Sequence, residues 1–163
     1  MHPGNEQPCP CNSGAHFDSC CHPYLNGAQS PLTATALMRS RFSAYRLQQY
    51  DYLMLTWDPV SAPPSAEALA ESCHDTRWIG LQVHNSERGE AGDNEGRVSF
   101  SAWFREQGGH GKLQALHEHS LFLRDQRGWR YVQGGALHTP PLPGRNSPCI
   151  CGSGRKFKQC CLD

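Results

Sequence analysis

From Leu32 to Trp57 the chain has neither glycine nor proline, and Leu37, Met38, Phe42, Tyr45 and Tyr52 or Leu53 recur at helical spacing. Thr33 or Thr35 supplies a cap for the start of this run, and the polar stretch from Gln49 to Asp51 divides it into two helices. The run ends at Pro59, after which SAEALAESC predicts a short helix capped by Ser65. From Arg77 the period changes to two. The segments WIGLQVHN, RVSFSAWFR, KLQALHEHSLFLR and GWRYVQG alternate, and glycine-rich turns at 89–96, 108–111 and 127–128 separate them. Helices followed by an antiparallel meander predict an α+β domain, with the helices packed on the sheet. On the third strand Glu118, Ser120 and Phe122 share one face, while Leu113, Ala115, His117, His119, Leu121 and Leu123 share the other. Periodicity alone does not say which face is inside.

Both ends depart from this pattern. PCPCNSGAHFDSCC at 8–21 and PCICGSGRKFKQCC at 148–161 are copies of one unit at a constant offset of 140, which aligns Cys9, Cys11, Cys20 and Cys21 with Cys149, Cys151, Cys160 and Cys161. Pro8, Ser13, Gly14 and Phe17 find their counterparts in Pro148, Ser153, Gly154 and Phe157. Each copy offers two close cysteine pairs across a short loop, the donor set of a tetrahedral structural zinc. Two zinc ions per chain are expected. Four protein thiolates leave no open coordination position, so the metal is structural and not catalytic. Two disulfides per module are the competing arrangement, but neighbouring cysteines lie closer than disulfide geometry prefers. His22 follows Cys21 and is the alternative fourth ligand of the first set; Cys21 is the expected one. Each unit is too small for a core beyond its one phenylalanine, so the metal should be its main source of stability.

The chain of 163 residues has a net charge of zero and a pI near 7.1, which gives no global argument for nucleic acid or an anionic membrane. No sequence-specific DNA partner is expected. No stretch has the apolar length of a membrane span, and the first residues lack the charged and apolar regions of a signal peptide, so a cytoplasmic location with reduced thiols is expected. Locally the two copies differ. Arg145, Arg155, Lys156 and Lys158 against Asp163 give the second copy +3 before its metal, whereas residues 1–27 carry Glu6 and Asp18 and no lysine or arginine. With the −2 of a four-thiolate zinc, the first copy repels acidic partners that the second attracts. The basic loop either docks such a partner or only offsets the thiolates.

GRNSPCICGSGRKFKQCC resembles the SEC-C motif, the zinc-binding tail of the bacterial SecA translocation ATPase and of scattered other bacterial proteins. In SecA this tail docks the export chaperone SecB, so the resemblance implies contact with a protein or the ribosome. Together with LMRSRFSAYRLQQYDYLMLTWDP, WIGLQV and HEHSLFLRDQRGWRYVQG, the two flanking units make the whole chain similar to the YchJ-like proteins. That family implies a nuclear transport factor 2-like middle domain, a bent antiparallel sheet wrapped around helices as a cone. Three regions are expected: 1–27 and 140–163 as zinc modules, and 28–139 as the cone. His119 stands where relatives usually have arginine, and Asn12 where the first unit usually has glycine. The basic positions of relatives place Glu118, Ser120 and Phe122 inward.

Glu118 then becomes a buried carboxylate, with Arg39 or Arg41 as the expected partner in a structural ion pair. The alternative is a general acid or base in an isomerase- or hydratase-like pocket with Ser120 nearby. Trp57, Trp78, Trp103 and Trp129 are expected at the core or rim, and Cys73–His74 as a buried thiol beside a surface imidazole. The reading these features favour is a non-enzymatic, zinc-binding cytoplasmic adaptor. A small-molecule-binding or enzymatic cone near Glu118 is the alternative.

Overall fold

The helical run breaks where its apolar spacing is interrupted. A computed structural model describes residues 6–136 and 143–162. Its helices are α1 (His22–Leu25), α2 (Ala34–Arg46), α3 (Tyr50–Leu55) and α4 (Ala66–Cys73). Thr33 caps α2 by accepting from the Ala36 N–H, and Ser65 caps α4 by accepting from that of Ala68. Between α2 and α3 the chain turns at Gln48, which takes a positive φ of 58°.

The strands are β1 (Arg77–Arg88), β2 (Glu95–Arg105), β3 (Leu113–Asp125) and β4 (Gly128–Ala136), hydrogen bonded in that order as one antiparallel sheet. After α3 the chain runs beside β4, where Trp57 bridges Tyr131, so part of that edge is covered. Alternation along the strands puts Val98, Phe100, Ala102 and Phe122 on the inner face, packed against Leu37, Met38 and Phe42 of α2. Ser120 is buried on this same face. On the opposite face Trp103 packs with Ile79, Leu113 and Ala115. Among the described residues no helix is long and apolar enough to cross a membrane.

Candidate metal centre

The two cysteine units repeat atom by atom. Cys9 N–H donates to Ala15 O at 2.9 Å and Cys149 N–H to Arg155 O at 2.7 Å. Phe17 N–H reaches Gln7 O at 2.9 Å and Phe157 N–H reaches Ser147 O at 2.8 Å. Each loop then closes in a single 3-10 turn, Phe17–Ser19 or Phe157–Gln159, that delivers the last two cysteines to the first two. The loop requires a left-handed residue after the second cysteine. Gly152 supplies it with φ 80° and Asn12 with φ 62°, asparagine being among the few non-glycine residues that tolerate this region.

In each set the four sulfurs lie within 4.8 Å of one another. Cys11–Cys20 and Cys20–Cys21 are 3.6 and 4.0 Å apart; Cys151–Cys160 and Cys160–Cys161 are 3.5 and 3.8 Å. A tetrahedron of thiolates about 2.3 Å from a metal has sulfurs ~3.8 Å apart, so both sets fit a metal as they stand. None of the nine cysteines is in a disulfide. Cys21 lies with the other three sulfurs of the first set, whereas the His22 imidazole turns to Asp18 at 3.3 Å and lies tilted against the Phe17 ring. The sulfurs are too close to ionise independently. Hydrogen bonding from Cys21 holds Cys11 far below the usual thiol range, and the same contact holds Cys21 far above it. A bound cation removes this conflict by accepting all four thiolates. In the second set the Ser153 hydroxyl, 3.3 Å from Cys160 Sγ, is the largest influence lowering that thiol to about 6. Arg155 Nη2 also donates to this sulfur, at 3.4 Å. Arg155, itself exposed, thus sets a positive charge beside the thiolates, with Arg145, Lys156 and Lys158 the other exposed cations of the unit.

Neither unit hangs free. Cys9, Cys11, Phe17 and Cys21 belong to the same buried cluster as Leu37 and Phe42, with Arg39 Nη1 donating to Cys11 O at 3.1 Å and Arg46 Nη1 to Pro10 O at 3.3 Å. Cys149, Ile150 and Phe157 pack on Trp103 on the outer face of the sheet. The two units also meet. Asn12 Nδ2 donates to the Ile150 carbonyl, and Gly80 of β1 lies so close beneath that carbonyl that any side chain at 80 would overlap it. Apolar burial on Trp103 therefore holds the tail in addition to any metal. Asn12 was legible only as an odd residue in a turn, because its partner lies 138 positions away in the other module.

Inside the cone, Glu118 does face inward but has no arginine partner among the described ion pairs. Its carboxylate accepts from Ser120 Oγ at 3.0 Å and occupies the space left by the missing side chain of Gly134. Arg39 is committed to the first cysteine unit. Arg41, only 3% exposed, donates to Leu53 O at 2.9 Å and Thr56 Oγ1 at 2.8 Å, with its guanidinium 4.7 Å from the Trp57 ring centre and 4.8 Å from that of Tyr131. The expected ion pair is replaced by a cation held between two rings and a carboxyl held by a hydroxyl. Burial raises the Glu118 carboxyl, against the smaller opposing effects of Ser120 and Arg41. Trp103 and Trp129 are buried, and Cys73 is half-buried beside an exposed His74.

Residues 33–134 match the family described as YchJ, middle NTF2-like domain, and residues 145–163 match the SEC-C motif. A UPF0225 protein of Serratia proteamaculans is 48% identical over 94% of this chain and 96% of its own length. One from Photorhabdus laumondii is 46% identical over 94% and 97%. Among solved structures, a SEC-C motif containing protein from Rhodopseudomonas palustris superposes with a TM-score of 0.72 at 32% identity, over 80% of this chain and 99% of that one. Another, from Psychrobacter arcticus, gives 0.65 at 29% identity over 96% of both. With its inward-facing sheet, its paired cysteine units and these likenesses over nearly its whole length, the chain belongs to the UPF0225 family of YchJ-like proteins.

Proposed function

We propose that the protein is a zinc-binding cytoplasmic adaptor that docks through its C-terminal module on an acidic protein surface. Four sulfurs per set and no other ligand suit zinc, which takes thiolates in a closed tetrahedron when its role is structural. The observation that carries the docking reading is the placement of charge. Lys156 and Lys158 are exposed on either side of buried Phe157, Arg145 is exposed nearby, and none of the three has a carboxylate partner among the described residues. The equivalent turn of the first module carries His16 and Asp18 instead, and Asp18 is engaged by His22. The resemblance of the tail to a motif that docks a chaperone elsewhere supports the same direction.

Replacing Lys156 and Lys158 together by glutamine leaves every sulfur and Arg155 in place. Both metals should be retained, and crosslinking capture of the partner from a bacterial extract should fall about tenfold at low salt and less at high salt, since exposed charges act through screened attraction. Equal capture by both proteins at every salt concentration would remove the docking reading. Capture abolished by ribonuclease would assign the surface to ribosomal RNA.

A further inference from the structure

The inner face of the sheet and the helices enclose a cavity of about 300 Å³ that the adaptor reading does not use. Its walls include the rings of Trp57, Trp78 and Tyr131, and Leu116, 41% exposed, stands at its rim. Two opposite charges line it without meeting. Arg41 is almost fully buried and is satisfied only by neutral oxygens and ring faces, while Glu118 is satisfied by one hydroxyl. Trp57, whose ring lines the cavity, also carries the one buried side-chain N or O atom without a hydrogen-bond partner among the described residues, its Nε1–H. An acceptor on a ligand within reach of that donor would satisfy it.

These groups restrict what can fit. An organic carboxylate gains from Arg41 and Trp57 but brings a second negative charge beside Glu118. An ammonium gains from Glu118 but is set near a buried guanidinium. A neutral group that accepts at one atom and donates at the next satisfies both ends, and the ring-lined walls favour a flat molecule. The volume suits one or two rings, the lower end of small-molecule sites. We propose that the cone binds a small, uncharged, planar molecule bearing an amide-like donor–acceptor pair, with Arg41 and Trp57 at its acceptor and Glu118 at its donor. Desolvation of the Glu118 carboxylate, the main cause of its raised pKa, is what a ligand N–H offsets. Tyr131, pushed up to about 12 by burial and then by Glu118, remains a neutral phenol against the ligand. The inference does not depend on the adaptor role.

The probes are benzamide, benzoate, benzylamine and toluene, matched in size and differing in charge and hydrogen bonding. Each is titrated at pH 8 into the metal-loaded full chain while the Trp57 indole N–H resonance is followed by NMR. Benzamide should shift that resonance and bind at least tenfold more tightly than the other three. Glu118→Leu should weaken it at least tenfold, and Trp57→Phe severalfold. Where Glu118→Leu fails to fold, Leu116→Trp places a large ring at the rim and should exclude the probe from an otherwise intact protein. Equal binding of toluene would mean a merely apolar void, and tighter binding of benzoate or benzylamine would mean that one charge dominates. Either result, absence of benzamide binding up to its solubility, or unaltered binding in Leu116→Trp overturns the proposal.

Discussion

Glu118 shows how a single side chain changes meaning between sequence and structure. Strand alternation and the resemblance to relatives put it on the inner face, where it is found, but they named an arginine partner that the fold sends elsewhere. Arg39 goes to the Cys11 carbonyl, and Arg41 to Leu53, Thr56 and two rings. The distinction has an opposite sign in solution. In an ion pair, burial with a cation lowers the carboxyl pKa, and glutamine at 118 costs stability at neutral pH. Here burial raises the folded pKa above an unfolded value of about 4.3, so between the two values the folded protein holds the extra proton. The stability linked to this group is complete below the unfolded value and is lost as pH rises through the folded one. Arg41, Ser120, Tyr45 and Tyr131 are the charged or titratable and hydroxyl groups around it, and none reverses that direction. Glu118→Gln should therefore be at least as stable as the native protein at pH 8 and should flatten its decline in stability from pH 4 upward. Urea denaturation across this range measures both, and a variant less stable at pH 8 would restore the ion pair.

Elements were legible wherever periodicity was long and one face was buried. The break after α2, the Ser65 cap and all four strands fall where spacing and turn residues put them. Strand ends were less legible, because pairing carries β1 through Arg88, beyond the point where its alternation fades. The outer face of the sheet was legible only in part. Its polar row, in which Ser101 Oγ lies 2.6 Å from His84 Nε2 and 2.5 Å from His117 Nδ1, carries no sign of burial in the sequence, yet Ser101 is wholly buried. The adjoining Trp103 serves as the floor for the second cysteine unit. At the edge of that floor, Gly80 has no side chain because the Ile150 carbonyl occupies the space. The obstacle is backbone and cannot rotate away, so Gly80→Ala should lift the unit from β1 at a cost of about 1–3 kcal/mol, the usual range for overpacking. The melting temperature should fall and Trp103 fluorescence should shift to the red. A variant that melts like the native protein, with unchanged fluorescence, would mean that the unit does not rest on β1.

At the scale of the whole molecule, the question raised by two cysteine modules at opposite ends of the chain has a spatial answer: the fold brings them together. The first packs beside α2, the second lies on the outer face of the sheet, and Asn12 joins them by donating to Ile150. No local signal in the sequence announces this, since the contact spans almost the full chain and its residues are a turn asparagine and a backbone carbonyl. The two metal sets nonetheless differ in protection. Cys9, Cys11 and Cys21 are buried in the first, whereas Cys149 alone is buried in the second. Ligand exposure governs how readily a chelator or oxidant reaches a thiolate, so metal should leave in two stages, with the C-terminal ion first. Because the second unit shares apolar surface with the sheet, emptying it should also weaken the rest of the molecule and not only unravel a tail. Cys160→Ser with Cys161→Ser should bind one metal per chain, not two, and should lower the main melting transition by several degrees, equivalent to roughly 1–3 kcal/mol for a domain of this size. Metal analysis combined with calorimetry separates the possibilities. One ion lost with an unchanged main transition would show that the module is an independent appendage, whereas loss of both ions would show that the Asn12 contact makes the two centres a single cooperative unit.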